Sequence, residues 1–196
     1  MNRILTIAIA AIVITPLLFA AEQKVTKAPG FTLTNYDGKT IKLSDYAGKI
    51  VVLEWFSYEC PFARYNYEKT TAVNDLVNKF KDKGVVFLAI NSTGHETIAK
   101  DKEFAVQYKV SHPILNDSSG TVGRAYGAQT TPHTFIVDAK DNIAYTGAFD
   151  NAPLGKTPEG EQYVNYIDKA LIELTAGKTV SVAETKPYGC SVKYGK

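Results

Sequence analysis

Apolar and polar positions along the chain switch between two periods. Phe31-Thr32-Leu33-Thr34-Asn35 alternates like a short strand, and Asp37-Gly38-Lys39 supplies turn residues before Ile41. Ile50-Val51-Val52-Leu53-Glu54-Trp55-Phe56 is a nearly unbroken apolar run, the pattern of a central strand covered on both faces. From Pro61 the period lengthens. Phe62, Tyr65, Lys69, Val73, Leu76 and Phe80 recur every three or four residues, which predicts an amphipathic helix closed at Gly84. Val85 to Asn91 repeats the buried-strand pattern, so strand, helix and strand form a βαβ unit with parallel pairing.

A further helix is expected over 96–108, before the Pro113-Ile114-Leu115-Asn116 run, and Thr121 to Tyr126 reads as a short helical turn. Thr134 to Asp138, a turn through Ala139-Lys140-Asp141, and Asn142 to Gly147 read as a hairpin. The stretch 152–160, rich in Pro and Gly, is a loop, and 161–175 is a last helix with Tyr163, Tyr166, Ile167, Ala170 and Leu174 on one side. Beyond Gly177 only a tail of low periodicity remains. The order βαβαβ, hairpin, helix describes an α/β layered fold, and a chain of 196 residues that is 45% hydrophobic can bury one core.

The first residues follow other rules. Met1-Asn2-Arg3 is a short positive segment and Ile4 to Ala20 is apolar apart from Thr6 and Thr15, which makes 1–21 a signal peptide and 22–196 the mature domain. Pro16 and the small pair Ala20-Ala21 fit a processing end, although Leu18 stands where a small residue is preferred. The alternative is an uncleaved membrane anchor. The expected location is the periplasm or cell envelope of a bacterial-type cell. With 22 basic against 20 acidic residues and no basic run interleaved with aromatics, nucleic acid is not an expected partner.

The chain has two cysteines, Cys60 and Cys190. In an exported protein these are a redox-active thiol, one structural bridge, or two members of one exchange cycle. Cys60-Pro61 follows the first buried strand after Ser57-Tyr58-Glu59 and opens the helix, where unpaired N–H groups and the helix dipole favour a thiolate. Pro61 suits the first helical position. Arg64, one turn on, is either a source of positive potential beside the sulfur or a solvated surface cation. Glu54 is an acid in an apolar strand: buried, it could exchange protons with the thiol, and at a strand edge it would face solvent. Thr131-Pro132-His133 precedes the later strand, and sequence alone permits a trans proline there. Neither His95 nor His112 has metal-ligand spacing with the other or with the cysteines, so no metal or organic cofactor is expected. Gly38-Lys39-Thr40 is not a phosphate loop, because Leu33 occupies the position of the required glycine.

Val52 to Glu68, the preceding Leu43-Ser44-Asp45-Tyr46-Ala47-Gly48-Lys49, Gly123-Arg124-Ala125-Tyr126-Gly127, Thr131-Pro132-His133-Thr134-Phe135 and the terminal Tyr188-Gly189-Cys190-Ser191-Val192-Lys193-Tyr194 together resemble the peroxiredoxin-like branch of the redoxin (AhpC/TSA) families. The resemblance spans nearly the whole mature chain. It implies a thioredoxin-like fold, with a central mixed β-sheet flanked by helices. By this likeness Cys60 matches the reactive cysteine, Glu54 the buried acid before it, and Pro132 a cis-proline loop facing the thiol. Ser57 stands where a typical peroxiredoxin has threonine, Leu53 where it has proline, and no arginine lies near Pro132 and His133. A thioredoxin would carry a second cysteine at Ala63.

The expectation is therefore an exported thiol-based oxidoreductase. Cys60 attacks a peroxide or a protein or small-molecule disulfide, and Cys190 or an external thiol reductant resolves the product, with Glu54, Ser57, Arg64 and Pro132 completing the site. With Ala63 removing a local partner, a labile Cys60–Cys190 disulfide is expected, since the tail beyond Thr175 has ample reach. Two alternatives are a non-catalytic thioredoxin-fold module stapled by that disulfide, and a copper handler using Cys60, Cys190 and His133.

Overall fold

The computed structural model describes residues 26–195, so the leader expected over 1–21 lies outside the described residues. The long apolar runs become adjacent strands at the centre of a seven-stranded mixed sheet, β2-β1-β5-β4-β3-β7-β8. Here β1 is Thr32–Asn35, β2 Thr40–Lys42, β3 Ile50–Trp55, β4 Val85–Asn91, β5 Ile114–Asn116, β7 His133–Val137 and β8 Ile143–Gly147. β3 runs parallel to β4 and antiparallel to β7, and β4 runs parallel to β5. The hairpin read from the sequence is the β7–β8 pair.

Both faces of β3 are covered, as its composition requires. Val51, Leu53 and Trp55 point into one core with Leu88, Ile90, Phe135 and Tyr126 of α4 (Thr121–Tyr126). Val52, and Phe56 just past the strand, point into the other. There they meet Tyr67 of α1 (Pro61–Glu68), Leu76 and Phe80 of α2 (Ala72–Phe80), Phe104 of α3 (Ile98–Gln107), and Ile167 and Leu171 of α5 (Tyr166–Thr175). Leu53, Trp55 and Phe56 are fully buried, each worth about 1.5–3 kcal/mol in transfer free energy.

Three helix boundaries differ from those expected. The single helix from Pro61 is two, interrupted at Lys69-Thr70-Thr71. Thr70 Oγ1 donates back to the Asn66 carbonyl and accepts from Ala72 N–H, so the hydroxyl takes over bonds that a continuous helix would make between backbone groups. The helix expected from residue 96 starts at Ile98, capped by Thr97, whose hydroxyl accepts from Lys100 N–H. The last helix starts at Tyr166 rather than 161, because the Asn165 side chain caps it and the preceding segment bonds Asn151 through Val164.

The described part of the tail is tied to the sheet and its loops at several points. Ala183 and Thr185 bond Thr146 at the β8 edge, Val192 N–H donates to Gln129, and Cys190–Ser191 forms β9, antiparallel to β6 (Thr130–Thr131). No described helix is long and apolar enough to cross a membrane.

Candidate active site

Strand β3 ends at Trp55, and the turn after it delivers Cys60 to the N-cap of α1 with Pro61 in the first helical position. Cys60 N–H donates to the Ser57 carbonyl at 3.2 Å, which fixes the turn. The sulfur, with its residue only 2% exposed, donates to the Thr131 carbonyl at 2.8 Å. Thr131-Pro132 is a cis peptide, and the Thr131 carbonyl brings this loop against the thiol.

Cys190 reaches the same place from the tail. In the β6–β9 pair it stands opposite Thr131, half-buried, and both cysteines are free. Burial, then its hydrogen bond with Cys60, then the charge of Cys60 push the Cys190 thiol up to about 11, with Lys193 opposing. Both thiols are free in this structure. They share a cavity of about 30 Å³ with Ser57, Glu59, Thr93 and Thr131, roofed by Ser191 and Lys193.

Three further anchors hold the roof. Tyr188 Oη donates to Asp150 Oδ1 at 2.6 Å, and its ring lies 6.1 Å from that of Phe62 on α1. Lys193 accepts from Gly94 N–H at 2.9 Å. Tyr194 donates to the Ala128 carbonyl at 2.6 Å and lies under the Arg124 guanidinium, 4.7 Å from its ring centre.

Glu54 is buried. Loss of solvent pushes its carboxyl up to about 7, opposed by the hydroxyl of Tyr67, which donates to Oε2 at 2.7 Å. The buried ring of His112 stands behind Tyr67, Nε2 to Oη 3.3 Å, and burial lowers its titration to about 4. Glu54 therefore lies in the core and not at a solvent-facing edge. Ser57 Oγ donates to Glu96 Oε1 at 2.5 Å, and Glu96 is held by Asn91, which also bonds Asp101. Arg64 goes elsewhere: its guanidinium is ion-paired with Glu68 one turn along α1 and is partly exposed, the surface-cation arrangement.

His133 is not available as a copper ligand beside the cysteines. Its Nδ1 accepts from Gln129 N–H at 3.2 Å, Nε2 bonds the Thr146 hydroxyl at 3.1 Å, and burial lowers its titration to about 4. His95 pairs with Glu59 at the surface. Among the described residues no group of three His, Cys, Asp or Glu side chains is placed to hold a metal ion.

Reading residue by residue missed Glu96, Asn91, Asp101, Tyr67 and the Thr131 carbonyl. Asn91 carried the one usable signal, a polar residue ending an apolar strand.

A cysteine capping a helix beside a cis-proline loop, on a mixed sheet of this order, defines a thiol-dependent oxidoreductase of the thioredoxin fold, and relatives agree. A family profile, "AhpC/TSA family", matches residues 25–146, and the chain belongs to that family. The thiol-disulfide oxidoreductase ResA of Bacillus cereus is 30% identical over 128 residues, 64% of this chain and 71% of that protein. A chloroplastic peroxiredoxin Q of Triticum aestivum is 31% identical, covering 67% of this chain and 61% of the wheat protein. A hypothetical protein of Sinorhizobium meliloti 1021 superposes with a TM-score of 0.77 at 26% identity, over 87% of this chain and 94% of that one.

Proposed function

We propose that the protein runs a two-cysteine cycle on a small hydroperoxide, outside the cytoplasm if the leader over 1–21 acts as its sequence suggests. The observation that carries this reading is the meeting of Cys190 and Cys60 across the Thr131 carbonyl. The Cys60 thiolate attacks the terminal peroxide oxygen, the O–O bond breaks, and the departing alkoxide or hydroxide takes a proton, leaving Cys60 as sulfenic acid. Cys190 then attacks the Cys60 sulfur, water leaves, and a disulfide forms. An external thiol reduces it through a mixed disulfide. The size of the cavity supports a small oxidant: about 30 Å³ holds no more than a few non-hydrogen atoms while the tail is in place.

The second reading is exchange with a protein disulfide, favoured by the name of the ResA relatives. A polypeptide would have to displace β9 from β6 to reach the sulfur. Intact mass after stoichiometric hydrogen peroxide separates the two. The hydroperoxide cycle requires wild type to lose two hydrogens, Cys190→Ser to gain one oxygen and Cys60→Ser to stay unchanged. Inert wild-type protein that reacts with a disulfide-bonded peptide would favour the second reading.

A further inference from the structure

The cavity contains a hydroxyl whose proton is already committed. Ser57 Oγ lines the space shared by the cysteines and donates to Glu96 Oε1 at 2.5 Å. Glu59 N–H donates to both of these oxygens, each at 3.2 Å. A serine hydroxyl has one proton and two lone pairs. Here the proton points at Glu96, so the face turned to the cavity offers only acceptor capacity.

Glu96 is as firmly held as the hydroxyl. It is 5% exposed, and its second oxygen accepts from Asn91 Nδ2 at 2.6 Å. The other amide proton of Asn91 goes to Asp101 Oδ1 at 2.8 Å, and Asn91 Oδ1 accepts from Thr93 N–H. The titratable groups facing Glu96 are Glu59 and Tyr58 from the turn after β3, Asp101 from α3, and its neighbour His95, which is turned outward to Glu59. No lysine or arginine side chain hydrogen-bonds Glu96 among the described residues. Two buried carboxyl groups sharing one amide, with no cation to pair them, are poorly placed to be charged together. Of the two it is Asp101 whose carboxyl burial pushes up, to about 7, against its hydrogen bond from Asn91 and with Glu96 adding to the rise, so that carboxyl holds a proton up to near neutral pH.

The chemistry needs a transient place for one. Oxidation of a thiol by a hydroperoxide releases the sulfur's proton and then consumes one at the leaving oxygen. The Thr131 carbonyl that accepts the Cys60 S–H cannot carry it away, and Glu59 is an exposed carboxylate held by His95. We propose that Glu96 is the positioning residue and proton store of the thiol cavity, acting through Ser57. Ser57 Oγ accepts the proton from Cys60 as it passes its own to Glu96 Oε1. The reverse transfer then protonates the alkoxide or hydroxide as the O–O bond breaks. The sulfur is oxidised to sulfenic acid, the peroxide is reduced to an alcohol or water, and Glu96 ends as it began.

The inference rests on the two-cysteine reading for its substrate, and one experiment separates the two. In the Cys190→Ser background, single-turnover modification of Cys60 is followed with three small probes, each at the maximum of its own pH profile. Hydrogen peroxide and bis(2-hydroxyethyl) disulfide have leaving groups that need a proton. Methyl methanethiosulfonate releases a sulfinate that does not. Glu96→Gln and Ser57→Ala should each slow the first two about tenfold or more and leave the third within about twofold, with no further loss on combining them. Glu96→Asp should recover part of the rate. Equal slowing with all three probes would mean a structural role, and no slowing with any would also overturn the proposal. If hydrogen peroxide fails even without the Glu96 change while the disulfide pattern holds, the hydroperoxide reading falls and the role of Glu96 stands.

Discussion

Cys190 stands directly opposite Thr131, and the carbonyl of that same threonine accepts the Cys60 S–H at 2.8 Å. One backbone unit thus sets the positions of both sulfurs, one through a strand pair and the other through a side-chain hydrogen bond. Resolution of an oxidised Cys60 then needs side-chain rotation more than movement of the tail.

Gly189 tests this arrangement. Its φ of +127° is disfavoured for other residues, and a Cβ there would run into the Thr131 carbonyl. Gly189→Ala should lift β9 from β6, slow Cys60–Cys190 disulfide formation about tenfold or more, and speed iodoacetamide labelling of Cys60 in the reduced protein. Non-reducing peptide mapping over time, with a parallel labelling assay, measures both. Unchanged rates would mean that the tail closes without this contact.

Resolution should accelerate with pH. The attacking species is the Cys190 thiolate, and this thiol titrates at about 11, chiefly through burial. Oxidation of Cys60 removes the contributions of that residue to the rise, and burial, the largest cause, remains. Stopped-flow fluorescence of the step following sulfenic acid formation should show a rate rising through pH 7 to 9, by up to about tenfold per pH step of one. A flat profile would assign resolution to another group.

Glu54 ties stability to pH with a definite sign. Its folded carboxyl titrates near 7 against an ordinary 4.5, so between these values the native state binds more protons than the unfolded chain, and stability falls as pH rises. The penalty is absent below about 4.5 and complete above about 7, roughly 3 kcal/mol once ionised. Asp101, also raised to about 7 by burial, adds in the same direction. Glu54→Gln keeps an acceptor for Tyr67 and removes the titration. Urea unfolding should therefore show the variant gaining about 1–3 kcal/mol on wild type at pH 8 and little at pH 5. An equal effect at both values would contradict the assignment.

Asp150 holds the tail at a distance from the sulfurs. Oδ1 accepts from Tyr188 Oη and from Ala152 N–H, and Oδ2 from Tyr163. Asp150→Ala strands buried donors at about 1–3 kcal/mol. Trypsin under native conditions should then cut after Lys186 or Lys193 several-fold faster than in wild type, while sites on α2 stay protected. Equal cutting would show that β9 and Tyr194 suffice to hold the tail.

The parts of this molecule that were legible in its sequence are those whose signal is local. The apolar runs of β3 and β4, the β7–β8 hairpin and the helix-opening Cys60-Pro61 pair all declare themselves within a few residues. The break at Thr70 did not, because Val73, Leu76 and Phe80 continue the spacing of Phe62, Tyr65 and Lys69 in sequence, whereas α1 buries Ala63, Asn66 and Tyr67 on a different face. β6 and β9 are two residues each and their partners lie far apart in the chain, so neither had a pattern to show. Ser57 and Glu54 were found by type and position. Glu96 was hidden as the apparent start of a helix, since a buried carboxylate that serves a distant hydroxyl looks in sequence like any acidic first turn. Arg64 was within one turn of the sulfur, but Glu68 at the next i+4 position takes its charge.

The β6–β9 pair also has a mechanical meaning. A Cys60–Cys190 bond would enclose everything from α1 to α5 in one covalent ring, with β3 and the residues after Cys190 outside it. A protein-unfolding motor pulling on the C-terminus would draw in Tyr194 and Lys193, then meet a link running straight to the end of the central strand, with no slack to reel out. Such a motor should thread the reduced chain and stall on the oxidised one, so the redox state of two sulfurs would also set how easily the protein can be destroyed.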